Sequence, residues 1–177
     1  MEKLNKLKHL INRNHLTDIK NRIVSEISQG PTNTIYYYDF KNIGAINSSG
    51  IDEILEQVLD YVIANETTKY LYVTNLIDEF EHVFNINRSL QASNKLLVAK
   101  LGDSYEFLGN LSNALTEILH EVYKHKQVTA RDLADQYGKQ LNLMSTHLNN
   151  LYKKRLVIKE EEYLVEGGRQ FVYKSLF

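Results

Sequence analysis

The sequence predicts an N-terminal helical segment over residues 1–30, a small α/β sheet domain over 31–109, and a domain of three helices and a β-hairpin over 110–177. In the middle of the chain, β-rich runs alternate with amphipathic helical runs, whereas helical runs follow one another near its end. The charge also changes between these segments: +3 from six Lys/Arg against three Asp/Glu, −6 from five against eleven, and +2 from ten against eight. This division indicates modules with different partners.

Length and composition predict a cytoplasmic globular protein. The 177 residues are 43% hydrophobic and 24% charged, which suits one large domain or two small ones. The absence of cysteine excludes disulfides, thiolate zinc sites and cysteine nucleophiles. No apolar run reaches the roughly 18 residues that a membrane-spanning helix needs, and the first residues do not resemble a signal peptide. We therefore expect no membrane partner.

The N-terminal segment is predicted to be helical over residues 3–28. Its apolar residues recur at intervals of three and four, which places them on one helix face. Thr17-Asp18 is able to begin a second helix, so a break in the middle stays open, and Gly30-Pro31 ends helical structure. The apolar face is expected to pack on its own domain or on a second copy of the chain. Its residues are Leu4, Leu7, Leu10, Ile11, Ile19, Ile23 and Ile27.

Residues 31–109 are predicted to form an α/β layer. The β-rich runs 34–38, 70–74 and 96–99 are separated by two amphipathic helical runs. Because parallel neighbours need a crossover helix between them, this order predicts at least some parallel pairing. The longer helical stripe comprises Ile51, Ile54, Leu55, Val58, Leu59 and Val62, and the shorter one Phe80, Val83, Phe84 and Leu90.

The last segment is predicted to contain helices at residues 115–123, 129–137 and 143–154. The second helix begins with a capping box, in which Thr129 is the N-cap and Asp132 the third helical residue. It ends near Gly138, and Asn142 is placed to cap the third helix.

A β-hairpin is predicted to follow these helices. Gly167-Gly168 separates the β-rich runs 163–165 and 171–173 and indicates a two-residue turn. Three helices followed by such a hairpin form a winged helix-turn-helix.

The third helix has the features of a DNA-reading helix. One face is apolar, the opposite face carries amides, a hydroxyl and an ammonium, and no acid occurs between residues 143 and 158. Asparagine pairs with adenine in the major groove, threonine meets the thymine methyl, and lysine reaches guanine or phosphate. Lys153-Lys154-Arg155 lies at the helix end, where backbone contacts are expected. The predicted DNA-binding residues are Ser145, Thr146, Asn149, Asn150, Lys153, Lys154 and, for a minor groove, Arg169.

Residues 112–177 resemble the winged-helix family of bacterial transcription regulators in pattern. The resemblance implies binding of double-stranded DNA, with the third helix in the major groove, by a homodimer. Two alternatives stay open: a polar helix face that is only solvated, and a winged helix that docks a protein. Glu160-Glu161-Glu162 on the first wing strand would repel phosphates if it faced them.

The loop Ile46-Asn47-Ser48-Ser49-Gly50-Ile51 precedes the first crossover helix. It is similar to the Ile-Asp-Ser-Ser-Gly-Leu loop of STAS domains, typified by anti-sigma-factor antagonists, and the pattern extends over residues 33–109. The resemblance implies that Ser48 is a candidate phosphoacceptor and that Ser48 and Ser49 form a candidate anion loop. Here Asn47 replaces the family's acid, and the STAS-like group found beside winged helices, which requires no phosphoserine, is the closer comparison. Alternatively, Ser48 or Ser49 is only the N-cap of the helix.

The enzyme motifs that we considered fail. His120 and His125 are five residues apart, so their rings diverge on a helix and do not share a metal. The sequence has no phosphate loop, dinucleotide glycine pattern or nucleophile elbow. We therefore expect no enzyme, no metal and no cofactor.

The leading hypothesis is a DNA-binding transcriptional regulator whose STAS-like domain serves dimerisation or signal input. The alternative is a protein-interaction adaptor in a signalling pathway, whose winged helix docks protein and whose acidic α/β domain binds a kinase or a similar partner.

Overall fold

The computed structural model describes residues 2–3, 10–11, 13–165 and 167–177. The chain divides into two compact units, residues 1–110 and 111–177. The mixed α/β class is confirmed, because each unit contains helices and a sheet. Among the described residues, no helix is both long enough and apolar enough to cross a membrane.

The first unit is built on a five-stranded sheet in the order β1-β2-β3-β4-β5. Neighbouring strands are parallel except for β4 and β5, which are antiparallel. A π-helical segment, Ile51–Glu56, joins α2 to α3 in one continuous helical stretch. The elements include β1 (Glu2–Lys3), α1 (Arg13–Gln29), β2 (Ile35–Asp39), α2 (Ser48–Gly50), α3 (Gln57–Asn65), β3 (Tyr70–Thr74), α4 (His82–Ala92), β4 (Leu96–Leu101) and β5 (Ser104–Gly109).

The main hydrophobic cluster of this unit lies on one face of the sheet. Side chains alternate along each strand, so Tyr36 and Tyr38 of β2 share a face with Leu71 and Val73 of β3. These four residues are buried in one cluster with the apolar faces of α1, α3 and α4. The Tyr38 hydroxyl donates a hydrogen bond to the Ile54 carbonyl at 2.7 Å, and burial raises the pKa of Tyr38.

The predicted helix over residues 3–28 is wrong at its start. Glu2–Lys3 is instead an edge strand parallel to β2, Leu10 forms a parallel β-bridge with Ile46, and the described helix α1 spans Arg13–Gln29. The strand pairs its backbone with the sheet, a long-range interaction that helical periodicity does not report. The predicted face residues Leu4 and Leu7 lie outside the described residues. The buried residues of α1 pack within their own unit, which is the first of the two packings expected above; they are Leu16, Ile23 and Ile27.

The predicted apolar stripe of α4 is also wrong in part. Phe80 and Phe84 are 43% and 60% exposed. The helix begins after Glu81, whose φ of 51° is left-handed, and this start sets a different buried face. That face consists of His82, Ile86 and Leu90.

His82 occupies a core position because both ring nitrogens have partners. Nδ1 accepts a hydrogen bond from the Ile77 N–H at 3.1 Å, so the proton resides on Nε2, which lies 2.5 Å from the Gly44 carbonyl oxygen. The ring meets Phe40 edge to face at 5.1 Å.

The second unit combines three helices with an antiparallel sheet in the order β6-β8-β7. The short strand β6 was not predicted. The apolar sides of α5, α6 and α7 form its core together with Val172 and Tyr173 of β8. The elements are α5 (Asn113–His125), β6 (Gln127–Thr129), α6 (Ala130–Tyr137), α7 (Leu141–Lys153), β7 (Ile158–Tyr163) and β8 (Arg169–Lys174).

The hairpin turn differs from the predicted two-residue turn. Tyr163 pairs with Arg169, so five residues, 164–168, connect the strands. Gly167 and Gly168 both have positive φ, 89° and 94°, where glycine avoids the strain of a side chain. The pairing of β7 with β8 defines the ends of this loop, and the two glycines lie at the end of the loop that leads into β8.

Candidate nucleic-acid interface

A tight connection holds α6 and α7 together. The predicted capping box is present: the Asp132 N–H donates to Thr129 Oγ1 at 3.2 Å, and the Thr129 N–H donates to Asp132 Oδ2 at 2.8 Å. Gly138 ends α6 in the left-handed conformation, with a φ of 59°. Residues 138–140 then connect to α7.

The start of α7 differs from the prediction, because the N-cap is Gln140 and not Asn142. The N–H groups of Leu143 and Met144 donate to the Gln140 carbonyl, so the helix begins two residues earlier. Asn142 lies inside the helix, and its carbonyl accepts a hydrogen bond from Thr146 Oγ1 at 2.8 Å. That bond occupies the hydroxyl proton and leaves the threonine methyl available for apolar contact.

The helix α7 buries one side and exposes the other. Met144, Leu148 and Leu151 are buried against their own unit. Of the predicted DNA-binding residues on α7 and just beyond its end, four are exposed and two are half-buried. The exposed ones are Ser145, Thr146, Lys153 and Lys154, and the half-buried ones are Asn149 and Asn150.

Lys153 and Lys154 remain available at the helix end, but Arg155 does not. Arg155 is only 8% exposed and has a φ of 60°. Its guanidinium lies 5.4 Å from the Tyr152 ring centroid and donates to the Tyr152 carbonyl at 3.2 Å. The expectation that Arg155 contacts the backbone together with the two lysines is wrong, because its side chain is buried against Tyr152.

A groove brings together two predicted residues that are 24 positions apart. Ser145 of α7 and Arg169 of β8 both line a depression of about 230 Å³. Arg131, in the first turn of α6, lines it as well and was missed in the sequence. The sequence contained one signal for its location, because the predicted capping box places Arg131 in the first turn of α6. Two arginines therefore line the groove beside α7.

The acids of β7 are paired with the neighbouring strand. Glu161 forms an ion pair with Arg169 at 3.0 Å. Glu160 contacts Lys174, and Glu162 accepts a hydrogen bond from Gln170 at 3.0 Å. The two ion pairs neutralise part of the negative charge of β7. The first of them also occupies Arg169, the arginine of β8 that lines the groove.

The half-buried Asn149 has an unpredicted partner. Its Oδ1 accepts a hydrogen bond from Lys159 Nζ at 3.2 Å. Lys159 lies on β7, with its ammonium 3.9 Å from the Phe171 ring centroid. Burial, together with the charge of Lys153, lowers the pKa of Lys159. The sequence patterns did not predict this contact, because each pattern describes one helix or one strand and this contact joins a helix to a strand.

The serine loop lies in the first unit, and its N-cap is neither serine. Asn47 is the cap: its Oδ1 accepts from the Gly50 N–H at 3.0 Å, and its Nδ2 donates to the Ile11 carbonyl at 3.2 Å. Ser48 is exposed and Ser49 half-buried. Ser48 lines an open depression of about 420 Å³ with residues of α4, including Arg88. Within the described residues, no group of three His, Asp or Glu side chains is placed to hold a metal ion.

Comparison with known proteins yields little. No protein family matches the chain, and no solved structure matches it. The chain is similar to exocyst complex component 3 of Drosophila melanogaster, with 25% identity over 132 residues. The similarity covers 66% of this chain and 18% of that relative, so the chain spans a small part of the relative's length. At this identity and coverage, the similarity assigns no family.

Proposed function

We propose that this protein is a DNA-binding transcriptional regulator whose second unit is a winged helix-turn-helix. The observation that carries the proposal is the exposed, acid-free face of α7, which lies beside a groove lined by Arg131 and Arg169. DNA binding depends on cations that meet phosphates and on neutral polar groups that meet base edges. Both kinds of group lie together here.

The proposed docking follows from the chemistry of each position. The helix α7 enters the major groove, where Thr146 and Asn149 contact base edges. Lys153 and Lys154 at the end of α7 meet the phosphate backbone. Arg169 reaches DNA from the hairpin.

The first unit would serve dimerisation or signal input. This part of the proposal is supported by the resemblance of the serine loop to STAS domains and by the mixed sheet with helices on its core face. A homodimer would present two copies of α7 to two half-sites about one helical turn apart. Shifting the half-site spacing by half a turn should then abolish cooperative binding.

The test is binding of the full chain to duplex DNA at increasing salt. Lys153→Ala and Lys154→Ala should each weaken binding to all sequences and reduce the log–log salt slope by up to about 1. Lys124→Ala is the matched control, because it removes an exposed lysine of α5 instead. The proposal fails if a folded triple variant, Thr146→Ala with Asn149→Ala and Lys153→Ala, keeps wild-type affinity.

A second candidate function, a protein-interaction adaptor, is favoured by the hairpin tip. Tyr163, Leu164 and Val165 form an exposed apolar run there, and the acids of β7 lie next to it. Exposed apolar patches of this kind mark protein-binding sites. The name of the Drosophila relative, a component of a complex, fits this reading. Undetectable DNA binding by the folded chain at low salt would favour the adaptor.

A further inference from the structure

The side-chain amide of Asn149 has a defined orientation. A lysine ammonium has only donors, so the atom 3.2 Å from Lys159 Nζ must be the amide oxygen and not the amide nitrogen. The two polar atoms of the planar amide point in different directions. The carbonyl therefore faces the hairpin strand β7, and the NH₂ group is directed elsewhere.

Lys159 is itself held in place by aromatic rings. Its Nζ lies 3.9 Å from the centroid of Phe171, 5.5 Å from that of Tyr152 and 5.8 Å from that of Tyr173. Lys159 also pairs in register with Tyr173 across the hairpin. The ring faces attract the ammonium and offset part of the cost of its burial. The amide of Asn149 thus accepts from a donor with a fixed position.

This orientation changes what Asn149 can recognise. Pairing with adenine needs the carbonyl to accept from N6 while the NH₂ donates to N7. With one lone pair of the carbonyl oxygen occupied by Lys159 and the carbonyl turned toward β7, the two N–H donors are the groups best placed to meet a base edge. Guanine offers two adjacent acceptors, O6 and N7, whereas adenine offers N7 alone and places a competing donor beside it.

We propose that Lys159 is a positioning residue that makes Asn149 a donor-only reader, which selects guanine over adenine at one position of each half-site. The inference rests on the proposed DNA-binding function and goes beyond it by naming the base. It also replaces the expectation, drawn from the residue type alone, that Asn149 pairs with adenine.

The test is selection of binding sites from a pool of random duplexes by the full chain. Wild type should enrich guanine over adenine at one position, by roughly 5- to 100-fold. Asn149→Ala should lose this preference. Lys159→Met, which keeps a long apolar stem but no donor, should shift the preference toward adenine, because the amide is then free to turn. Lys159→Arg, which still only donates, should retain guanine.

A second variant keeps the test decisive if Lys159→Met fails to fold. Asn149→Asp retains the contact with Lys159 but has no N–H donor, so its guanine preference should disappear. An adenine preference in wild type, or a guanine preference that survives in Asn149→Asp or in folded Lys159→Met, would overturn the inference while leaving DNA binding intact. Absence of any binding to random duplex at low salt would overturn the proposed function and this inference with it.

Discussion

Arg169 and Glu161 form an ion pair across the hairpin, with Arg169 Nη1 3.0 Å from Glu161 Oε1. The arginine lines the groove beside α7, so a carboxylate competes there with any phosphate. Exposed pairs of this kind contribute only about 0–1 kcal/mol to stability, so their larger effect is on what the arginine can bind.

Glu161→Gln should therefore raise affinity for random duplex DNA and steepen the log–log salt slope by up to about 1, because it releases Arg169. The measurement is a titration at several salt concentrations. Glu162→Gln is the matched control: it removes the same charge from the next residue, but its partner is the neutral Gln170. Equal gains from both variants would mean that net charge matters and the ion pair does not.

Asn47→Ala should lower the free energy of unfolding by about 0.5–2 kcal/mol, because Asn47 provides the cap at Gly50. Ser48→Ala should change it by less than about 0.5 kcal/mol, since the exposed Ser48 is not the cap. Urea titrations followed by circular dichroism measure both. A larger cost for Ser48→Ala than for Asn47→Ala would contradict this assignment.

The elements with strong periodicity could be predicted, and the contacts between elements could not. Alternating β-rich and helical runs gave the central strands of the first unit within a few residues. The strand β5 was missed, although Gly102-Asp103 forms a two-residue turn between Leu101 and Ser104. Phe84 was predicted in the buried stripe and is exposed, whereas His82, which no pattern singled out, is buried. Hydrophobicity ranks phenylalanine as the core residue and does not register the two backbone partners of the histidine ring.

In the candidate site, too, single elements could be predicted and contacts between elements could not. The polar face of α7 could be predicted from the spacing of residues along one helix. The partners of Asn149 and Arg169, which are Lys159 and Glu161, were not readable, since each belongs to a strand whose register arises only on folding.

Lys69→Met should lower the free energy of unfolding of the first unit by about 1–3 kcal/mol. Lys69 is buried and donates to the carbonyls of Ile27, at 2.5 Å, and Ser28, at 3.2 Å, near the end of α1. These are carbonyls of the last turn of the helix, where a cation also favours the helix dipole. Lys41→Met, at an exposed lysine, is the control and should be nearly neutral in the same urea titration. Equal effects of the two variants would refute the capping role.

Acid should destabilise the first unit through Glu53. The hydrogen bond from Lys20, 2.8 Å away, lowers the pKa of this carboxyl although burial opposes the shift. A carboxyl whose pKa is lower in the folded state stabilises the fold above its unfolded value of about 4.3 and loses that contribution as the pH falls through the folded value. Urea midpoints between pH 7 and pH 3 should therefore converge for wild type and Glu53→Gln.

A matched control for this pH series is Glu79→Gln, at an exposed carboxyl in the turn Asp78–Phe80. It should follow wild type at every pH. A constant difference between wild type and Glu53→Gln across the series would show that another group causes the acid sensitivity.

Separation of the chain after Asn110 should yield two soluble, folded fragments. The division into compact units falls there, and each side has its own sheet and its own buried residues. Fragment 1–110 should retain cooperative urea unfolding, and fragment 111–177 should retain cooperative unfolding together with the salt-dependent DNA binding proposed for α7. Loss of cooperative unfolding in both fragments would show that the units do not fold independently. A fragment 111–177 that folds but does not bind DNA, when the full chain does bind, would show that DNA binding also needs the first unit. The first unit would then contribute either direct DNA contacts or the dimer interface.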